Sequence, residues 1–531
     1  MNTEVLLGDE AVALSALHSG IGGSFAYPGT PATELNEYIF RLRRKFPEVY
    51  VEWSANEKTA YEAALGMSYV GKRAIVSMKH VGLNVAADAF MNSAITGVNG
   101  GLVVLVADDP GMHSSQNEQD SRYYIEFAKI PAFEPSSQQE AYVMTKEAFR
   151  LSEELRLPVL VRLVTRLAHS RSNVTTGRAV RHKNLPKADD WRTWTLLPGN
   201  ARVQFKKLLE KQPQIQEYSN GSPFHTAALP RKSDAMGVIS SGIGHNYFME
   251  NRDLTHLPHL KLGVYPLPEK LIRDFTQGLS EVLIIEDGYP YIESRIQAIV
   301  RKPELSIRGK LTGDLPASGE LNPDLVRKAL GQAIKESAFR PEEGVVLNRP
   351  PLLCDGCAHR EVFNVIDELR KSKDELTVFS DIGCYTLGAL RPQPSIDTCV
   401  CMGASLGMAK GAANGGLKYS VGVIGDSTFM HSGIPTVVKA AGDNTPVTFV
   451  ILDNGTTGMT GQQDVPIPGK RIETFLEGLG IPKEHIRIMN PRRVFFNDNV
   501  CMMHEELEYR GVSVVIARRE CIQLIKSKRK K

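Results

Sequence analysis

Tyr419-Ser-Val-Gly-Val-Ile-Gly-Asp-Ser427 and Val447-Thr-Phe-Val-Ile-Leu-Asp-Asn-Gly455 decide the fold of the last third of this 531-residue chain. Each is an apolar run that closes on a polar residue, Asp426 in one and Asn454 in the other, with 27 residues between the two. Short apolar runs bounded by turn residues read as buried strands of a parallel sheet. The ends of parallel strands lie side by side at the carboxyl edge, where open α/β sheets bind their ligands. Asp426 and Asn454 are therefore expected to converge. Asp-Asn-Gly alone is ordinary turn chemistry. The spacing and the two strands together point to a site.

The same rhythm of short strands and helical stretches runs outward to the N-terminus. Gly23-Ser-Phe-Ala-Tyr27, Ala74-Ile-Val-Ser77, Leu102-Val-Val-Leu-Val106 and Pro158-Val-Leu-Val-Arg162 read as buried strands, with a helix over Asn56 to Val70 between two of them. The expected organisation is a first α/β domain over residues 1–177 and a Pro-rich polar linker over 178–232. A smaller domain over 233–340 and a final domain over 345–531 follow, the last two joined by a Pro-containing link from Arg340 to Pro351. The fold class is multidomain α/β, with parallel sheets flanked by helices.

Composition excludes several classes of protein. With 42% hydrophobic and 23% charged residues the chain has the balance of an ordinary globular protein, not of a disordered chain or a coiled coil. No run approaches the ~20 apolar residues that span a bilayer, and the acidic N-terminus has no signal-peptide pattern. Net charge is +3, and five of the positive charges fall in the last six residues, leaving −2 for the rest. Nucleic acid is therefore not an expected partner, and the basic tail reads as a solvated end. Gly66-Met-Ser-Tyr-Val-Gly-Lys-Arg73 has P-loop spacing but ends a helix and carries Arg where Ser or Thr must meet the metal. Gly20-Ile-Gly22 and Gly242-Ile-Gly244 lack the third glycine of a dinucleotide site.

The Asp426 carboxylate, the Asn454 amide oxygen and the backbone carbonyl of Thr456 make part of an octahedral shell for Mg²⁺, which a diphosphate would complete. Gly425 lets the backbone approach phosphates, and nearby helix N-termini favour the anion. A Gly-Asp-x that closes one strand, with an Asn closing the next, resembles the thiamine diphosphate signature. That cofactor needs a glutamate beside its aminopyrimidine, supplied in the superfamily by a different α/β domain. Glu57, at the start of the helix in Val51-Glu-Trp-Ser-Ala-Asn-Glu-Lys-Thr59, is the candidate. It also completes Ser54-x-x-Glu57, a capping box, so a helix cap accounts for it locally as well.

Further motifs extend the resemblance. Ala26-Tyr-Pro-Gly-Thr-Pro-Ala-Thr-Glu34, Met78-Lys-His-Val-Gly-Leu-Asn84, Asp108-Asp-Pro-Gly-Met-His-Ser-Ser-Gln-Asn117 and Cys354-Asp-Gly-Cys-Ala-His-Arg360 are similar to the alpha subunit of indolepyruvate ferredoxin oxidoreductases. Asp381-Ile-Gly-Cys-Tyr-Thr-Leu-Gly388 and Asp453-Asn-Gly-Thr-Thr-Gly-Met-Thr-Gly461 fit the same family, so the resemblance runs from Glu4 to Leu524. It implies a pyrimidine-binding domain first, a transketolase C-terminal-like domain next and a diphosphate-binding domain last. It also implies conversion of an arylpyruvate, coenzyme A and oxidised ferredoxin to an aryl-acetyl-CoA, CO₂ and reduced ferredoxin. Asp426, Asn454 and Thr456 would hold Mg²⁺, with Gly425, Ser427, Gly383 and Cys384 at the cofactor. Glu57 would activate it, and Thr30 would lie at the 2-oxoacid carboxylate, with a loop cap as the alternative. His80 and His113 would carry protons or touch substrate, against a structural role for each.

All seven cysteines lie beyond residue 353, and an odd count without a signal peptide reads as a reduced, cytoplasmic chain. Cys354, Cys357, Cys384 and Cys521 resemble the proximal [4Fe–4S] ligand pattern of related oxidoreductases. A structural zinc site or buried thiols would use the same residues, and Cys399, Cys401 and Cys501 are expected in the core. The family's C-terminal ferredoxin-like domain is not in this sequence. A beta subunit and a ferredoxin-like acceptor are the expected partners, with a homodimer of this chain inside a heterotetramer. A non-oxidative arylpyruvate decarboxylase, or a cofactor-binding subunit inactive without its partner, are the alternatives.

Overall fold

In a computed structural model, residues 2–181, 184–186, 191–334, 345, 351–467 and 469–530 are described. The chain divides into two compact units, Met1–Arg340 and Pro341–Lys531. The strands read from the sequence are present in both. In the first unit a seven-stranded sheet has the spatial order Val264–Tyr265, Ala132–Phe133, Val159–Val164, Leu102–Asp108, Ala74–Lys79, Gly23–Ala26, Tyr50–Trp53. All pairs are parallel except the edge pair made by Val264–Tyr265. Every residue of Ala74–Lys79, Leu102–Asp108 and Val159–Val164 is buried, which is why these segments read as continuous apolar runs. Helices Glu57–Tyr69, His80–Thr96 and Gln138–Leu155 cover the sheet and bury one side each.

A second sheet in the same unit has the order Ser306–Arg308, Glu281–Ile285, Met236–Ser241, His259–Leu262, Thr226–Ala228, parallel except for the last pair. Part of it comes from the segment expected to be linker. Within 178–232 the chain forms helices Pro198–Glu210 and Gln212–Asn220, each with a proline in its first turn, and buries Leu208 and Ile215. A Pro-rich polar composition suggests linker, but at the first turn of a helix a proline costs no hydrogen bond and starts the helix. The link from Arg340 to Pro351 lies outside the described residues apart from Val345 and Pro351.

The second unit holds a six-stranded, all-parallel sheet ordered Thr398–Cys399, Thr377–Ser380, Ser420–Gly425, Val447–Asp453, Val512–Arg518, Ile486–Met489. The basic segment Ile522–Lys530 is helical, with Lys526, Lys528 and Arg529 exposed, and Ser527 Oγ donates to Gln462 Oε1 (3.0 Å). Lys531 lies outside the described residues. Among the described residues no helix is long and apolar enough to cross a membrane.

Between the two sheets of the first unit lies a network of buried charges. Arg162 Nε meets Asp108 Oδ2 (2.7 Å), its Nη1 meets Glu134 Oε1 (2.5 Å), and its Nη2 donates to Asp287 O (3.0 Å). Arg122 pairs with Asp120 and with Glu286 Oε2 (2.7 Å), and donates to Tyr289 O (2.9 Å). Desolvation of such charges is costly: two guanidinium groups meet four carboxyls, and burial raises Asp108 and Glu286 above the ordinary carboxylate range while Arg122 and Arg162 pull the other way. It ties the 108–122 loop at the carboxyl edge of the first sheet to strand Glu281–Ile285 and the turn after it.

Candidate active site

In the second unit, Gly425 pairs in register with Leu452, so Asp426 and Asn454 emerge from neighbouring strand ends. The Gly455 N–H donates to Asp426 Oδ2 (2.8 Å) and the Ser427 N–H to Oδ1 (2.8 Å). Asn454 Oδ1 accepts from the Thr456 N–H (3.0 Å), an Asx turn, and Thr457 Oγ1 donates to Ser427 Oγ (3.0 Å). The fold thus brings Asp426, Ser427, Asn454 and Thr456 together. Burial pushes the Asp426 carboxyl up to about 7; the Gly455 amide pulls the other way, and Asp453 adds repulsion. The chain then runs through a π-helical turn, Phe429–Gly433, an irregularity common at functional sites.

Two features here escaped the sequence reading. Tyr385 is wedged between Gly383 and Gly425: a Cβ on either glycine would come within 2.5 and 2.7 Å of its ring, respectively. Its hydroxyl donates to Ile382 O (2.9 Å) and lies 3.0 Å from Thr428 Oγ1. Asp381, fully buried, accepts from the N–H groups of Ile382 (2.8 Å), Gly403 (2.9 Å) and Ser405 (3.0 Å), fixing the start of helix Ala404–Asn414. Gly403 stands there at φ +87°, with a Cβ position only 2.3 Å from Ser432 Cβ. The signal was the Asp at the end of strand Thr377–Ser380, the same punctuation that marked Asp426.

Cys354, Cys357, Cys384 and Cys521 are half-buried thiols gathered around the same edge. The Cys521 N–H donates to Asn454 O (3.0 Å), and Cys384 Sγ lies 3.6 Å from the Cβ position of Gly458. The Cys357 N–H donates to Cys354 O (3.1 Å), and Gln523 Nε2 to Cys354 Sγ (3.2 Å). Burial pushes the Cys384 thiol up to about 11, and Cys357, Cys521 and Cys354 add to it. Among the described residues no three His, Cys, Asp or Glu side chains close on one point as a mononuclear metal centre requires. The expectation that Cys401 and Cys501 are core residues is corrected: both are exposed, and Cys399 is only half-buried. Helix Phe496–Glu508 buries Asn499, Met503, Glu506 and Leu507, and Cys501 falls off that stripe. Cys401 precedes Gly403 in a loop.

In the first unit Glu57 is buried at the first position of its helix, but Ser54 is not the cap. Asn56 caps it, accepting from the Thr59 N–H (2.9 Å) while its own N–H donates to Thr59 Oγ1 (3.2 Å). Ser54 Oγ instead donates to Glu52 Oε1 (2.7 Å). The capping box is shifted by two residues, so helix capping does not account for Glu57. A Cβ on Gly82 would stand 2.7 Å from Glu57 Oε1; only glycine lets helix His80–Thr96 pass so close to the carboxyl. His80 is buried with Nε2 3.1 Å from Asn117 O, whereas the His113 side chain is 52% exposed and 3.4 Å from Glu320. Ser114 Oγ donates to Thr30 O (3.1 Å), which joins the Thr30 loop to the 108–117 loop.

Comparison with known proteins agrees with this geometry. Residues 15–209 match the pyruvate flavodoxin/ferredoxin oxidoreductase thiamine diphosphate-binding family, and 381–489 match the C-terminal TPP-binding domain of thiamine pyrophosphate enzymes. Indolepyruvate oxidoreductase subunit IorA of Archaeoglobus fulgidus is 39% identical over 97% of this chain and 86% of its own length. The Pyrococcus abyssi subunit of the same name is 38% identical over 97% and 85%. A 2-oxoglutarate:ferredoxin oxidoreductase from Magnetococcus marinus, solved with 2-oxoglutarate, coenzyme A and succinyl-CoA, superposes with a TM-score of 0.51 at 15% identity. It covers 62% of this chain and 65% of its own, and speaks for the fold alone. The α/β thiamine diphosphate-binding fold, the Asp426–Asn454 edge and the relatives lead to one conclusion: the chain belongs to the IorA family, the indolepyruvate oxidoreductase subunits among the thiamine diphosphate-dependent 2-oxoacid oxidoreductases.

Proposed function

We propose that this chain catalyses the coenzyme A-dependent oxidative decarboxylation of an arylpyruvate such as indolepyruvate, passing electrons to a ferredoxin-like acceptor through a partner subunit. One observation carries the reading: Asp426 and Asn454 stand on adjacent strand ends, bridged by the Gly455 amide, in a chain 39% identical to an IorA subunit. The buried Asp426 carboxyl and the Asn454 amide oxygen, on adjacent strand ends, are hard oxygen donors of the kind Mg²⁺ takes, and with the Thr456 carbonyl they would hold it. Gly425, Ser427, Gly383 and Cys384 line the diphosphate side. Thiamine diphosphate, when bound, supplies the electron sink for decarboxylation.

Glu57, set against Gly82, would face the cofactor's pyrimidine and hold a proton for it there. Thr30 receives the substrate carboxylate, and buried His80 is the better-placed proton carrier than exposed His113. The four thiols around the Asn454 turn fit a [4Fe–4S] cluster, which spaces its ligands further apart than a single ion does and would supply a one-electron store. The working form is a homodimer of this chain within a heterotetramer with beta subunits, in the cytoplasm.

The test is an anaerobic assay with arylpyruvate, coenzyme A and a viologen dye, with and without the partner subunit. Viologen reduction that needs coenzyme A, thiamine diphosphate and Mg²⁺ supports the proposal; aldehyde release without any acceptor replaces it with simple decarboxylation. Glu57→Gln lowers kcat by about 10² or more with cofactor binding kept, and full turnover by that variant overturns the assignment. Purified protein should contain iron and sulfide; zinc in their place rejects the cluster.

A further inference from the structure

Lys79 is used by none of the roles assigned so far, yet it is the last residue of the fully buried strand Ala74–Lys79 and stands where three site elements meet. Its stem packs on the Thr30 loop, with Cδ 3.3 Å from the Cβ position of Gly29. Its Nζ donates to Ser114 O (2.9 Å), in the loop whose Ser114 Oγ is bonded to Thr30 O. One turn on, Gly82 of the helix that follows Lys79 lies against the Glu57 carboxyl. Burial lowers the Lys79 ammonium to about 8, opposed by the charges of Asp109 and Glu57.

The charge is costly where it stands. A lysine at the N-cap of a 17-residue helix faces the positive end of the helix dipole, and its hydrogen bond goes to a neutral carbonyl. Asp109 is already engaged by Ser114 N–H (2.8 Å), Ser115 Oγ (2.7 Å) and Thr165 Oγ1 (2.7 Å). An ammonium has three donors, and Ser114 O takes one. An organic anion reaching this point would offset both the desolvated charge and the dipole, as buried charges require.

We propose that Lys79 is the binding residue for the carboxylate of the 2-oxoacid substrate, acting beside Thr30 and setting the preference for an acid over a neutral analogue. The proposal rests on the thiamine-dependent 2-oxoacid reading above. Asp109 acts through Lys79 as a positioning residue, since it orders Ser114, the acceptor of the lysine.

The experiment uses the complex of this chain with its partner subunit, loaded with thiamine diphosphate and Mg²⁺. Binding of indole-3-propionate and of its neutral amide, indole-3-propionamide, is measured by calorimetry on wild type, Lys79→Gln and Lys79→Arg. The wild type should prefer the acid by at least about 30-fold, the loss typical of an unmatched buried charge pair. Lys79→Gln should abolish that preference while binding the amide and the cofactor as before, and Lys79→Arg should keep part of it. The KM for indolepyruvate should rise in Lys79→Gln by a similar factor, with kcat changing less. A preference for the acid that survives in Lys79→Gln, or is absent in wild type, overturns the proposal. If wild type shows no coenzyme A-dependent turnover, the functional reading fails instead, and the acid–amide comparison still judges Lys79. Should Lys79→Gln fail to fold, Lys79→Arg decides: an unchanged preference and unchanged KM reject a dedicated lysine contact.

Discussion

The two carboxyl edges of this molecule are built by opposite means. In the second unit, the carboxylates at the strand ends, Asp426 and Asp381, are held by backbone N–H groups of turns close in space. In the first unit, the edge that carries Asp108, Asp109 and the Thr30 and Ser114 loops is braced by buried arginines paired with acids far away in sequence. Backbone donors are available to any sequence that makes the turn, so such a site needs only the right strand ends and a glycine or two. A site braced by charged side chains needs every partner present at once, because each unmatched one is a buried charge. A single change in the first arrangement removes one hydrogen bond to a neutral amide; in the second it strands a buried charge.

That contrast is sharpest at Arg162. Arg162→Met leaves Asp108 and Glu134 buried without their cation, at a cost of about 3–5 kcal/mol. Calorimetry should show the transition of the first unit lowered, with the 108–122 loop losing amide protection in hydrogen exchange. A change below about 1 kcal/mol, the range of an exposed pair, would break the comparison.

The matching change in the second unit is smaller. Asp381→Asn removes one acceptor from a set of three backbone amides, a loss of about 1–3 kcal/mol for an unsatisfied buried group. With the amide oxygen kept toward Ile382 and Gly403, exchange should speed up at the Ser405 amide, whose acceptor Oδ2 is replaced, and stay unchanged at Ser427. Equal acceleration at Ser427 would mean that the two carboxylates of that edge are not independent.

The smallest effect separates the two readings of the Glu57 helix. Asn56→Ala should cost about 1 kcal/mol as the loss of an N-cap, and Ser54→Ala only a few tenths. Thermal unfolding of the two variants checks this directly. The reverse order would restore Ser54 as the cap and return Glu57 to a structural role.

Much of the second unit was legible because its information is local. Strand, terminal Asp and glycine follow one another in Ser420–Ser427, and Asn454 repeats the pattern one strand later. The wedge of Tyr385 between Gly383 and Gly425 was not, since nothing in those segments says which ring will fill the space above a glycine. In the first unit the prolines at 198 and 213 hid two helices because a proline reads alike as a breaker and as a first-turn residue. Arg122 carried no sign of burial, and although Arg162 closes a run read as a buried strand, nothing local named the acids of either, which are at positions as distant as 134 and 286.

The sequence by itself determined the parallel α/β layers and the convergence of Asp426 with Asn454. It also determined the family, through ordered motifs from the Thr30 segment to the cysteines. Hydrophobic periodicity and strand-end punctuation are short-range properties, and a parallel sheet turns them into a shared edge without further instruction. Only the tertiary structure decided that Asn56 and not Ser54 caps the helix of Glu57, that Arg162 and Arg122 lock two sheets together, and that Lys79 stands buried against Gly29 and the Ser114 carbonyl. Each of these depends on which side chains distant in the chain are brought within a few ångströms, where desolvation makes a matched charge possible and an unmatched one prohibitive.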